Sequence, residues 1–475
     1  MTSAGKVGRW LVTHASGAPG GRIAVRARSV SRLHFVQAFV LAGMVALPLQ
    51  AAGTVEVVYT LAPSYLLFGI AIVLGLPETV RGVRLLPSSV VLAGTVLILI
   101  YLSMIVVGDY ATVAEQVRGG TLRATVYSAY VVFGLALVAL VVGTGEDAVI
   151  WRILWALVVG GALVASYGVY SWFAVHYKLP LADINNAVNS DGFTYGNRPR
   201  GTGLFGWERI RGTFTEPIGL GAFLTVVIPL TVPLLARAQR VRTRLLASAA
   251  LALMFAALAL TASSISGASL ILGLVVAILV SAVARRAVKL VAIAVVSIAA
   301  AGGLIFTLLF NPAPLSAITA RSTESLSVTL SDRTSAWRDA STIWATRPVT
   351  GFGPGQASAR LAERPDPRRA PGAPVTLRSA QGIVMSSLVD TGIVGFSAWI
   401  GLFGATLTAG VRTGLRRRDL VLPSIIAATI AAIFVAMVNG DRVDLRVWVV
   451  MSILLATVAH DSRQRNARQA DQRAD

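Results

Sequence analysis

The sequence predicts an all-α membrane protein with about twelve transmembrane helices and two long extracytoplasmic loops, the second containing short amphipathic helices. Three observations carry this. Hydrophobic residues are 55% of the 475 and charged residues only 13%, against roughly 25% charged in soluble domains. The apolar runs reach the length of about 20 residues that a membrane span requires. The formal net charge of +20 comes from basic residues clustered between those runs. A soluble basic face for nucleic acid is therefore excluded, and the clusters read as orientation signals.

Taken in order, residues 1–32 carry six basic and no acidic side chains. They are too long and Gly-rich for the n-region of a signal peptide, and read as a flexible cytoplasmic tail. The N-terminal transmembrane helices occupy 33–175, with spans expected at 33–52, 57–76, 85–107, 122–142 and 149–175. An extracytoplasmic loop follows at 176–212. The central helices fill 213–310, as spans 214–236, 245–262, 265–284 and 288–310, and the seventh and eighth meet almost without a loop at Thr261–Gly267. The long loop 311–378 comes next, then the C-terminal spans 383–411, 420–438 and 443–460 within 379–460. Residues 461–475 are charged and read as a disordered cytoplasmic tail. With both termini inside, the short inner loops hold 13 Lys or Arg and the short outer loops 2. That asymmetry orients the chain and puts both long loops outside.

The long loop has eight of the chain's 19 prolines and nine arginines against five acids. Within it, Ser331–Ala345 reads as a short amphipathic helix, Ser331 suiting the N-cap and Asp332 the first turn. Trp337, Ala340 and Trp344 share a face, for interfacial anchoring or a site. Arg333, Arg338 and Arg347 are its cations. Gly351-Phe-Gly-Pro-Gly355, centred on Gly353, reads as a tight turn, because a phosphate cradle requires a strand before it and a helix after. Earlier, Arg209 and Arg211 precede Glu216-Pro217, the expected first turn of the sixth span. Arginines at a helix N-terminus bind anions, or simply meet lipid headgroups. Asp390 falls about two turns into the tenth span, where a carboxylate is a functional candidate or a structural cap. There is no cysteine, so no disulfide or thiolate metal site. The four histidines show no metal-ligand spacing, and no Walker, Rossmann or Gly-Xaa-Ser-Xaa-Gly pattern occurs. No metal and no cofactor is expected.

These stretches, in this order, resemble the bacterial O-antigen ligase and polymerase family. The resemblance runs over about 205–400. It rests on Arg209 or Arg211 ahead of Gly-Thr-Phe and Pro217, on Thr261–Ala268, on Arg333, Trp337, Pro348 and Gly351–Gly355, and on Asp390, Gly392 and Gly395. Two positions depart from the family pattern: Gln381 stands where its histidine falls, and Ile265 or Ser266 where an arginine is expected. The resemblance implies a metal-independent glycosyltransferase of the bacterial cytoplasmic membrane. It would move a glycan from a polyprenyl diphosphate to a hydroxyl of a lipid or glycan acceptor at the outer face. Breaking a sugar–diphosphate bond leaves charge that guanidinium groups stabilise. Arg209, Arg211 and Arg333, with Arg338 and Arg347, are the expected diphosphate ligands. Gln381 can orient the acceptor hydroxyl but takes no proton, so either Glu216, Asp339 or Asp390 serves as base or stabilisation of the leaving group dominates. The alternatives are a transporter or flippase for an anionic lipid-linked substrate, and a catalytically degenerate scaffold.

Overall fold

A computed structural model describes residues 21–50, 55–56, 60–108, 120–144, 146–185, 208–282, 335–364, 380, 382–417, 419–438 and 444–474. These residues are almost wholly helical. The helices are α1 (Gly21–Ala46), α2 (Pro63–Leu74), α3 (Leu76–Leu85), α4 (Ser88–Val107), α5 (Gly120–Thr144), α6 (Asp147–Tyr177), α7 (Pro217–Arg237), α8 (Val241–Leu260), α9 (Ser264–Ala282), α10 (335–344), α11 (Gln356–Ala362), α12 (Ile383–Arg416), α13 (Val421–Val438) and α14 (Leu445–Ala474). One small antiparallel pairing, Val55–Glu56 with Thr60–Leu61, departs from the all-α expectation.

Among the described residues nine helices are long and apolar enough to cross a membrane, ten if α2 and α3 count as one bent span. The described helices differ from the sequence reading in three places. First, the stretch between the expected spans 57–76 and 85–107 is itself helical, as α3, and is bent by 85° from α2. Gly75 sits at the joint and Pro77 opens α3, whose Glu78, Arg81 and Arg84 belong to a polar face. Second, α1 begins at Gly21, inside the expected tail, and its apolar part, Arg32–Ala46, is shorter than a span. Third, the segment after His460 is helical to Ala474: its Ala, Gln and Arg residues are strong helix formers, which outweighs the charge that suggested disorder. The expected span 288–310 lies outside the described residues.

The core is apolar and close-packed, with Trp399 and Trp448 among its largest buried side chains. Their rings lie 5.7 Å apart, and Trp399 Nε1 donates to the buried Tyr101 hydroxyl at 3.2 Å. Glycines admit the closest approaches. A Cβ on Gly82 of α3 would stand 1.7 Å from the Ala139 carbonyl oxygen, and one on Gly143 of α5 1.8 Å from that of Glu78. In α7 the prolines 229 and 233 are interior and buried, and neighbouring helices shield the backbone groups they leave unpaired.

The helix ends sort into two sets. At one end Arg32 pairs with Glu78 and Arg417 with Asp461. At the other lie the ends of α1, α6, α8 and α13 and the starts of α7, α9, α12 and α14. Both candidate stretches are found there.

Candidate active site

The first stretch is a strap, residues 208–216, that leads into α7. Pro217 takes the first helical position, where its fixed φ suits the helix and its missing N–H costs nothing, and Glu216 is the extended N-cap residue. The strap is drawn into the bundle by its polar groups. Ile210 N–H donates to Leu260 C=O at 3.3 Å, and Thr213 Oγ1 to Pro48 C=O at 2.6 Å. Asn185 Nδ2 donates to the carbonyls of Gly212 and Phe214 at 3.2 and 3.1 Å.

Its arginines turn inward. Arg209 is half-buried and its Nε donates to Thr261 C=O at 2.7 Å. Burial pushes its guanidinium below the ordinary value, while the charge of Glu216 opposes the shift. Arg211 is only 2% exposed, forms an ion pair with Asp183, and reaches Thr215 C=O at 3.5 Å. A third cation, Arg446, donates to Gly219 C=O at 2.6 Å and to Asp444 through Nε at 2.7 Å. Asp183, Asn185, Asp444 and Arg446 were not singled out in the sequence. The first two lie in an aperiodic loop; the last two form a short acid–Xaa–base pattern at the opening of the final span, a legible but unspecific signal.

The second stretch runs from α10 to α12. Helix α10 buries Ala336, Ala340 and Ile343 and half-buries Trp337 and Trp344, close to the expected face. Ala340, Ile343 and Trp344 pack with Phe352, Ala357, Leu361, Met385 and Val389. Trp344 Nε1 donates to Pro348 C=O at 3.0 Å. The chain then turns on Gly351, Gly353 and Gly355, all at positive φ, and a seven-residue helix, α11, follows.

Helix α12 is broken at Gly392, with φ 63° and ψ −165°, and the turn fills the break. Phe352 N–H donates to Val389 C=O at 2.9 Å and Gly353 N–H to Asp390 C=O at 2.7 Å; Ile393 N–H donates to Pro348 C=O at 2.9 Å and Val394 N–H to Val349 C=O at 3.4 Å. The groups freed by the break are thereby satisfied from the loop, as buried backbone requires. Asp390, 0% exposed, completes the joint: its carboxylate accepts the N–H groups of Gly355 at 2.6 Å and Ala357 at 2.5 Å. The turn does hold an anion at the start of a helix, and that anion is the protein's own carboxylate. Glycine is required on both sides of the joint. A Cβ on Gly392 would lie 2.1 Å from the Val349 carbonyl oxygen, and one on Gly351 2.6 Å from that of Asp390.

The break divides α12 in exposure. No side chain of Ile383–Thr391 is exposed, whereas Ile393 and Val394 are 43% and 45% exposed. All 34 residues would measure about 51 Å at 1.5 Å per residue, well beyond a hydrocarbon core of about 30 Å. The expected span 383–411 is therefore kinked at Gly392, and its exposed side chains start at Ile393.

Of the remaining candidates, Arg338 and Arg347 are exposed on the loop, Glu216 is exposed at the start of α7, and Asp339 is half-buried. Arg333 and Gln381 lie outside the described residues. Among the described residues no three His, Cys, Asp or Glu side chains come together in a way that could hold a metal ion.

No curated protein matches this sequence significantly. A family-model match covers most of α8, all of α9 to α11 and α12 as far as Ile400, so it includes the glycine turn and the broken helix but not the strap. Residues 249–400 match the family model described as O-antigen ligase, and this match supports the O-antigen ligase family for the chain.

Proposed function

We propose that the protein is a metal-independent membrane glycosyltransferase. It transfers a glycan from a polyprenyl diphosphate carrier to a hydroxyl of a lipid or glycan acceptor, at the outer face of the bacterial cytoplasmic membrane. The observation that carries the reading is the family match over the segment whose turn is locked into the broken α12. A loop joined to a membrane helix by its backbone is a rigid platform at the level where a lipid-linked substrate presents its head.

In this reading the acceptor oxygen attacks the anomeric carbon. The bond from that carbon to the diphosphate oxygen breaks, and its electron pair leaves with the diphosphate. Arg333, Arg338 and Arg347 on the loop and Arg209 on the strap stabilise the charge. Arg211, neutralised by Asp183, positions the strap. Gln381 orients the acceptor hydroxyl. Glu216, the exposed carboxylate beside Arg209, takes its proton. Asp390 is buried and engaged by backbone N–H groups, so its role is positioning, as are those of Trp337, Trp344 and Gly353.

The test is glycan transfer from a polyprenyl-diphosphate donor in membrane vesicles. Arg333→Ala and Glu216→Gln are expected to abolish transfer with expression retained, and Gln381→His to raise the rate. Unchanged turnover in both Arg333→Ala and Arg209→Ala rejects the assignment. The broken α12 favours one second reading, a flippase, because transporters build sites from discontinuous helices. Movement of a glycan-free polyprenyl phosphate across proteoliposomes, with no transfer, would establish that reading instead.

A further inference from the structure

The loop carries two cations on one aromatic ring. The Arg347 guanidinium carbon lies 5.3 Å from the Phe352 ring centroid, and that of Arg360 lies 4.6 Å from it. Phe352 itself is 7% exposed and packed against α10, α11 and α12. Cation–π contact at this range holds an arginine in place against the ring face. Arg360 also approaches Glu363 at 3.4 Å, with its side chain 20% exposed. Over 335–364 the arginines are 338, 347, 360 and 364 and the acids Asp339 and Glu363, so the platform is net positive.

Next to these cations lies an apolar strip. Val349 is 57% exposed, and its carbonyl accepts the N–H of Val394, which is 45% exposed beside Ile393 at 43%. Arg347, Pro348 and Val349 are consecutive, and Pro348 is bonded to Ile393. Cationic and apolar surfaces are thus fixed side by side by backbone hydrogen bonds, at the point where side chains of α12 first become exposed. A free anion uses only the first surface and a lipid tail only the second. A phosphate-headed lipid matches both.

We infer that Arg347 and Arg360, set on Phe352 beside the Val349–Ile393–Val394 strip, seat the diphosphate and the first isoprene units of a polyprenyl diphosphate. This rests on the transferase reading for the donor class and adds Arg360, Phe352 and the strip to it.

Binding to the purified full chain in detergent tests the seat, with glycan-free C55 polyprenyl diphosphate, inorganic diphosphate and phosphatidylglycerol as separate probes. The parent protein is expected to bind the polyprenyl diphosphate more tightly than either of the others. The double variant R347Q/R360Q should weaken that binding at least about tenfold, and R364Q, the loss of a single charge off the ring, should change it less than about twofold. Should the double variant melt early, R347Q alone decides, since that side chain is exposed. Val349→Asn should weaken the lipid and leave inorganic diphosphate unaffected. Parent-like binding by the arginine variants overturns the seat and leaves the transferase reading standing. Equal affinity for phosphatidylglycerol means general lipid contact only, and equal affinity for inorganic diphosphate a free-anion site; either overturns the seat. A parent that binds no polyprenyl diphosphate removes both the seat and the proposed donor.

Discussion

The strap at 208–216 and the turn at 348–357 both dock a polar segment at the same end of the bundle, by opposite chemistry. The strap is held mostly by side-chain donors aimed at backbone carbonyls: Arg209 on Thr261, Asn185 on Gly212 and Phe214, Thr213 on Pro48. The turn is held by main-chain bonds into the break of α12, with one carboxylate on two N–H groups. The difference decides where cations remain at the surface. In the strap the arginines are drawn inward, Arg211 buried and Arg209 half-buried. In the turn the backbone does the tying, so Arg338 and Arg347 stay exposed. Arginines that look alike in the sequence thus belong to different parts of the machine.

The largest effect expected is for Arg211→Ala. It strands the partly buried Asp183 and should cost about 3–5 kcal/mol, read as an early thermal transition in detergent. Adding Asp183→Asn should recover part of the loss, and a parent-like transition in the single variant would mean the strap is not held by this pair. Asp390→Ala removes the acceptor of two buried N–H groups and should cost about 3 kcal/mol. Limited proteolysis should then cut the turn before the rest of the bundle melts; a turn still protected would show that the backbone bonds suffice alone. Asp390→Asn retains one acceptor oxygen and should fall between. Gly82→Ala forces α3 and α5 apart, at about 1–3 kcal/mol. Because that contact is far from the docked segments, donor binding measured at a temperature where the variant is folded should be unchanged. Smallest is Arg364→Gln, which should leave stability within about 0.5 kcal/mol.

Much of this was legible in the sequence, for physical reasons. Apolar runs and charge clusters mark helices that cross a membrane, because the bilayer tolerates little else. The α10 face and the tight turn follow from residue spacing and from glycine. What stayed hidden was pairing at a distance. An isolated Gly392 inside an apolar run gives no sign of a break until Pro348 and Val349 arrive to bond it. Nothing near Arg211 in the chain announces Asp183, 28 positions away. Asp390 was visible as an odd carboxylate, but whether it caps or catalyses depended on Gly355 and Ala357 reaching it. The bend at Gly75 had a local signal, Gly75-Leu-Pro77, which the long apolar run masked.

Helix α14 continues for 30 residues, about 45 Å at 1.5 Å per residue. Its first half is buried in the bundle, and its second half emerges with Asp461 tied to Arg417 and Arg465. Whatever is joined near Arg468 therefore rides on a stiff lever, not a tether. A fluorescent probe attached there should tumble with the whole micelle and show high anisotropy, which makes that position a handle for following the bundle's orientation.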